Sequence, residues 1–417
     1  MAVIDARSRG ATGDGRTDDS PAIAATLRAA HEAGGGTVFL PAGVYCLAAS
    51  LGEDTGLARV CLIGDGERAS TIKAVANVAP ITGVWSESRI ENLVIDAGGH
   101  GSPALVAELD KSYLRHCRVR GWTDFGLRLN DTVDGLLNWI DDNFVEQSTG
   151  CGIYTTHHFY DSWIVNNNVG STGPNLSVES GPLRIIANHL DGSPTHNIEL
   201  RGNKNLTIVG NICEGSRREA IIYTMPAWLD SDAPHVQIVG NNITNGGKGS
   251  PGTFPAIGIY GRDERHRVRG FNIIGNLFAC EDHDAGWSHA VAAEHVDDLS
   301  ICGNQWEDRG FAQTAVRGGG RNMMVTGNTS ADIATRVVAT VAGPCTLGAE
   351  PGTDYVYFLE AGAKPKLPAA EGNTSRYTLK NIGGRQTVVT AGDTVIALAP
   401  GGVAEVVSDG TTWQSLR

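Results

Sequence analysis

One short pattern recurs down the middle of the chain: two apolar residues, a small residue, then asparagine. It runs IIANHL at Asn188, IVGNIC at Asn211, IVGNNI at Asn241, IIGNLF at Asn276, ICGNQW at Asn304 and VTGNTS at Asn328, with looser copies IVNNNV at Asn167 and IDDNFV at Asn143. The successive intervals are 24, 21, 23, 30, 35, 28 and 24 residues. A floor just above 20 residues, exceeded only in some copies, suits one turn of a three-strand coil with loop insertions. Helical repeats fit poorly, because the apolar runs are short, rich in Ile and Val, and punctuated by Gly and Asn. Asparagine tolerates the left-handed backbone of a tight turn, and its amide can bond the asparagine of the next coil. The pattern predicts an all-β, single-stranded right-handed parallel β-helix.

Bulk composition agrees. Fifty-four glycines against nine phenylalanines and nine tyrosines imply many tight turns rather than aromatic-filled layers. No stretch approaches the roughly 18 apolar residues of a membrane span, and the opening MAVIDARSRG carries no apolar leader. Insertion into a membrane is therefore not expected. The net charge of −13 repels a phosphate backbone, so nucleic acid is not an expected partner. The eight cysteines stand singly in apolar runs without metal-like spacing, and are expected as small buried hydrophobes.

The ends differ from the middle. Ser20 before Pro21 suits a helix N-terminus, Ile23, Leu27 and Ala30 form one apolar stripe, and Gly34 to Gly36 stop the helix. Such a helix would cap the open end of the coil, otherwise an exposed sheet edge. After about Val341 the asparagine repeat stops and apolar and polar residues alternate between Gly and Pro turns. The expected organisation is an N-terminal cap with first strands over 1–50, a parallel β-helix over 51–341 and a small C-terminal β module over 342–417.

The segment GATGDGRTDDSPAIAATLRAA followed by GGGTVFLPAGVY resembles the opening signature of the pectate-lyase-like superfamily of β-helix proteins. That superfamily includes phage tailspikes and secreted polysaccharide-degrading proteins. The tail, with YTLKNIGG and LAPGGVAEVVSDGTTWQSL, resembles C-terminal β modules of phage tail proteins. The resemblance implies a carbohydrate-active protein, a homotrimer, and a place in a virion tail or outside the cell, the cytoplasm being the alternative. It indicates fold strongly and reaction weakly, since lyases, hydrolases, epimerases and binding proteins share the superfamily.

In the resembled superfamily, glycan lies along an outward sheet groove walled by loops. A second strand follows each asparagine: FGLRLN, CGIYTT, NLSVES, NIELRG, AIIYTM, AIGIYG, AVAAEH and TAVRGG. Aligned on Leu127, Ile153, Leu176, Ile198, Ile221, Ile257, Val291 and Val316, these leave two outward columns. One holds Tyr154, Ser177 and Glu199; the other starts at Asn130 and Thr156 and holds Glu179, Arg201, Tyr260 and Glu294. The loop excess lies between Asn211 and Asn304 and carries Trp228, Phe254 and Trp287, either as platforms for sugar rings or as packing residues.

Asp191 and Glu214 each follow a repeat asparagine by three residues, so they fall at the same place on adjacent coils, about 4.8 Å apart. A retaining glycosidase needs two carboxylates at about that separation. Glu146 and Glu307 fall at equivalent places, so a solvated acidic edge is the alternative. Glu179 and Arg201 share a column on adjacent coils, as an ion pair or as part of a site. The expected catalytic set is Asp191, Glu214, Glu199, Glu179 and Arg201, with Tyr154, Arg217, Arg218, Trp228, Tyr260 and Trp287 binding polysaccharide. Hydrolysis needs the carboxylates; elimination from a uronate needs Arg201, Arg217 and Arg218 to neutralise its acid. No metal ligand set or cofactor motif stands out, calcium entering only with a lyase, and a non-catalytic receptor-binding tail protein is the main rival.

Overall fold

The structure, a computed structural model, describes all residues except 1, 53–55, 102, 147, 171–172, 180, 203, 230–233, 281–285, 307–315, 320–321, 329–335, 350–352, 393 and 417. The chain forms an all-β parallel solenoid of about 14 turns. Contacts divide it into two compact units: Met1–Tyr223 with Gly246–Gly249, and Thr224–Asn245 with Ser250–Arg417.

In unit 1 each coil after the first contributes one strand to each of three parallel sheets, as Ser162–Val165, Asn168–Gly170 and Leu176–Val178 do for the first, second and third. Side chains alternate across each strand, so one position in two points inward. Leu114, Ile140, Ile164, Ile185 and Ile208 stack in register along the first sheet, and all are fully buried. Val119, Val145, Val169, Leu190 and Cys213 do the same in the second sheet. Leu127, Ile153, Leu176 and Ile198 do so in the third. Each fully buried aliphatic side chain contributes roughly 1.5–3 kcal/mol, and the repetition of whole columns holds the coil together.

The repeat asparagines line the turn between the first and second sheets. Asn143 Nδ2 donates to Asn167 Oδ1 at 2.9 Å, Asn167 to Asn188 at 3.0 Å, and Asn188 to Asn211 at 2.9 Å. Each backbone N–H in the run also donates to the next Oδ1, so these buried amides are satisfied through the stack. The left-handed residue is the one before each asparagine: φ is 52° at Asp142, 55° at Asn166, 55° at Ala187 and 65° at Gly210. The small residue of the pattern therefore makes the bend, and the asparagine bonds across it. A second ladder, unmarked by any repeat, joins Ser88, Ser112, Asn138 and Ser162 through backbone N–H to side-chain oxygen bonds of 3.0 Å.

The capping helix spans Ser20–Glu32 and buries Ile23, Leu27 and Ala30. Asp19 holds the N-cap position, with Ser20 already inside the helix. Ser20 Oγ instead accepts the N–H groups of Ala48 and Ala49 at 2.9 and 3.1 Å, tying the helix start to the strand beyond it. The acidic run before the helix is turn chemistry: Asp14 accepts from Arg16 and Thr17, and Asp19 from Thr12 and Gly13. Six cysteines are buried, whereas Cys302 is half-buried and Cys345 exposed. Burial pushes the Cys117 and Cys213 thiols up to about 12, so both stay protonated.

Unit 2 repeats the plan with first-sheet strands Val236–Val239, Val268–Ile274, Val296–Cys302 and Met323–Thr326. Its asparagine ladder runs Asn241, Asn276, Asn304, Asn328 with Nδ2 to Oδ1 bonds of 2.9, 3.0 and 2.9 Å. The tail then opens two new sheets of five and four strands. Arg336–Val341, Asp354–Leu359 and Arg376–Asn381 still pair in parallel, while the closing strands Val403–Ser408 and Trp413–Ser415 are antiparallel. Tyr355, Tyr377, Leu379, Val406 and Trp413 fill its core.

Candidate functional site

The third sheet of unit 1 presents a polar network on its outward face. Arg128, Tyr154, Ser177 and Glu199 are register partners on four successive coils. They lie between the buried columns of Leu127 and Leu129, so alternation turns them outward. Ser177 Oγ donates to Glu199 Oε2 at 2.9 Å, and Arg201 Nε donates to Glu199 Oε1 at 3.2 Å. Arg201 Nη1 also stands 3.7 Å from Glu179 Oε1. Burial, followed by the neighbouring Glu179 carboxylate, pushes the Tyr154 phenol up to about 12. Its ring stacks on Phe125 with centroids 5.0 Å apart. The structure thus brings Tyr154, Glu179, Glu199 and Arg201 into one chain of contacts.

The upper part of the second outward column is not outward. Asn130 and Thr156 are buried, because at the strand end the chain turns and both side chains bond backbone. Asn130 Nδ2 donates to the carbonyls of Leu109 and Val133, and Thr156 to that of Asn130. Just past Thr156, the rings of His157 and His158 lie 4.0 Å apart, and His158 Nδ1 is 2.7 Å from Asp134.

Asp191 and Glu214 close the second-sheet strands His189–Asp191 and Ile212–Glu214 and are direct register partners. Both are half-buried and point outward on either side of buried Leu190 and Cys213. His189 Nε2 lies 3.8 Å from Glu214 Oε2. Glu146 on the same edge is engaged by Arg118, and Gly170 occupies the position between Glu146 and Asp191, so the acidic edge is interrupted. Glu307 lies outside the described residues.

Between this edge and the third sheet runs a turn that carries Arg217 and Arg218, both exposed. It also holds Glu219, which forms a buried pair with His196 of the preceding coil, outside the expected site residues. His196 Nδ1 is 3.4 Å from Glu219 Oε2, and Arg218 Nε is 3.6 Å from the same oxygen. Burial, then the Arg218 charge, draws the His196 imidazole down to about 4, and burial raises Glu219, so both are driven toward neutral forms. The signal was present: His196 and Glu219 each follow Asp191 and Glu214 by five residues, the same alignment that pairs the two acids.

In unit 2, Trp228 is 69% exposed, and Tyr260 lies half-buried across Gly258. Trp287 has no exposed surface. Its loop is tied down by Ser288 N–H to Phe254 O at 2.7 Å and Gly252 N–H to Gly286 O at 3.0 Å, which turns the indole inward. A ring with no exposed face offers no platform, so Trp287 packs the loop. Among the described residues, no three His, Cys, Asp or Glu side chains converge as metal ligands.

Residues 3–102 match the family described as rhamnogalacturonase A/epimerase, pectate lyase-like. Mannuronan C5-epimerase AlgE1 of Azotobacter vinelandii is 45% identical over 78 residues, 18% of this chain and 6% of that protein. The chain therefore spans only a small part of that relative. The solved A-module of mannuronan C-5 epimerase AlgE6 from Azotobacter vinelandii superposes with a TM-score of 0.62 at 19% identity, covering 79% of this chain and 99% of the module. The Dettilon tailspike protein gp208 superposes with a TM-score of 0.57 at 14% identity, covering 97% and 78%. At such identities the likeness is one of fold: this chain carries the pectate-lyase-like right-handed parallel β-helix.

Proposed function

We propose that this protein is a carbohydrate-active β-helix that binds a polysaccharide on unit 1 and cleaves it by glycoside hydrolysis. The observation that carries the reaction is the direct pairing of Asp191 and Glu214 on adjacent coils. Strand spacing sets their separation near 5 Å, which suits one as the acid that protonates the leaving oxygen and the other as the nucleophile at the anomeric carbon. Water then releases the glycosyl group, with the first residue acting as base. Tyr154, Glu179, Glu199 and Arg201 supply donors and acceptors for sugar hydroxyls, and Arg217 and Arg218 flank them. Trp228 and Tyr260 are the ring faces proposed for unit 2. Likeness to a tailspike supports a bacterial surface glycan as substrate, a virion tail as location and a homotrimer as assembly.

A second reading is favoured by the likeness to mannuronan C5-epimerases, whose chemistry starts with removal of the proton beside a uronate carboxylate. Arg201, Arg217 and Arg218 would neutralise that carboxylate, and Tyr154, protonated up to about 12, would donate a proton.

The test is to incubate the protein with bacterial capsular polysaccharides and polymannuronate, with and without a calcium chelator, following reducing ends and absorbance at 235 nm together. New reducing ends without absorbance, lost by about 100-fold or more in Asp191→Asn and Glu214→Gln, are the expected result. Absorbance at 235 nm establishes elimination, and loss of activity in Glu199→Gln but not Asp191→Asn moves the chemistry to the third sheet. Binding without either signal leaves an epimerase or a receptor-binding protein, and proton NMR of the recovered polymannuronate separates them, inverted C5 residues appearing only with the epimerase.

A further inference from the structure

Unit 2 contains a cavity of about 470 Å³ that none of these roles uses. Ala293 and Gly318, register partners on adjacent third-sheet strands, line its floor. Glu294 and Arg317 belong to the same strands, His295 to the turn after the first of them, Glu264 and Arg267 to the preceding loop, and Glu371 with Thr411 to the tail.

We propose that this cavity is a second saccharide site, taking an uncharged sugar ring. Its volume is in the range of small-ligand sites. Every basic side chain among the described lining residues has a carboxylate partner. Arg267 contacts Glu264 and Asp297, each at 2.9 Å, His295 Nδ1 lies 3.3 Å from Glu264, and Arg317 pairs with Glu294. Three carboxylates stand against two guanidinium groups among the lining residues, so an anionic sugar or a phosphate meets net repulsion. A sugar hydroxyl donates to a carboxylate and accepts from a guanidinium at once, and an alternating set of the two is what a polyol recognises. Among the described residues no Phe, Tyr or Trp lines the cavity, so recognition runs through hydroxyl groups rather than stacking on a large ring.

The walls are held before any ligand arrives. Arg267 is only 14% exposed and doubly bonded. On the tail side, Asp409 accepts the N–H groups of Thr411 and Thr412 at 2.9 and 2.7 Å and a Gln414 side-chain N–H at 2.8 Å, which fixes the turn that presents Thr411. Preorganisation of this kind reduces the ordering cost of binding.

The experiment is saturation-transfer NMR and calorimetry on the full chain with neutral glucose, mannose and galactose trisaccharides, and with trigalacturonate for contrast. A neutral trisaccharide is expected to bind with a Kd on the order of 1 mM. Glu294→Gln and Arg317→Ala are expected to weaken it about tenfold or more. Glu371→Ala, at an exposed position, provides a variant whose folding is not in question. Asp191→Asn leaves this binding unchanged, which separates it from the hydrolytic site. The proposal is overturned if no neutral trisaccharide binds, if only trigalacturonate does, or if the three cavity variants bind as the parent does.

Discussion

Two outward faces of unit 1 are built on the same coils and use their side chains in opposite ways. On the first sheet, Arg89, Tyr113, Trp139, Trp163 and Arg184 are register partners. Their rings stack nearly parallel, Tyr113 to Trp139 at 4.8 Å and Trp139 to Trp163 at 4.3 Å. Arg184 covers the far face of Trp163 at 5.0 Å, and Arg89 and Arg115 approach Tyr113 at 5.7 and 5.9 Å. Each ring has used its faces on a neighbour, so the ladder offers edges to a ligand and its stacking goes into stability. On the third sheet, the matching column holds Tyr154, Ser177 and Glu199 with Arg201 beside them. Those groups add little to the core and present donors and acceptors. Repetition of one residue type down a face produces a brace, and variation down a face leaves room for a site.

Exchanging the two roles is the sharpest way to break this contrast. Arg201→Ala should lower glycan turnover or binding roughly 10–100-fold, while costing under about 1 kcal/mol of stability because the arginine is 48% exposed. Denaturant unfolding beside the activity assay checks both, and a large stability loss with unchanged activity would make the network a brace like its counterpart. Trp139→Ala should do the reverse, losing roughly 2 kcal/mol in unfolding, less than a fully buried tryptophan because its edge is open, with activity per folded molecule retained.

A pH experiment separates the faces further. The Tyr154 phenol ionises near 10 when unfolded but only near about 12 when folded. Between those values the unfolded chain has lost a proton that the native chain keeps. Stability is therefore undiminished below pH ~10 and falls as pH rises toward ~12. Tyr154→Phe should flatten that part of the curve relative to the parent, and identical slopes would show that Glu179 and burial do not act on this phenol. The smallest effect is expected at the end of the ladder, where Arg184→Ala removes one cation from one indole face. A loss of roughly 0.5–1 kcal/mol by denaturant titration is expected.

Much of this was legible in the residues. The asparagine pattern named the ladder and the coil, and counting from it placed Asp191 against Glu214 and Tyr154 against Ser177 and Glu199, because a parallel coil keeps register wherever no residue is inserted. The same counting reaches the aromatic ladder, since Trp139 and Trp163 each precede a repeat asparagine by four residues. It also reaches His196 and Glu219. Trp287 was not legible: a tryptophan in a loop looks alike whether the loop stands up or folds down, and that depends on hydrogen bonds to Phe254 and its neighbours, distant in sequence. Nor was the burial of Asn130 and Thr156, because alternation ceases to describe a strand where it turns.

The sequence by itself therefore determined what is periodic: the fold, the inward columns, the bonded asparagines and which outward residues stand side by side. These follow from local rules applied once per coil, where each side chain's surroundings are copies of its own neighbourhood. Only the tertiary structure decided what lies where the period breaks. It lowered the Trp287 loop onto the chain, buried Asn130 and Thr156 at the strand end, and left an open cavity beside Ala293 and Gly318. Those outcomes depend on distances and solvent exclusion between segments whose spacing in sequence carries no fixed period.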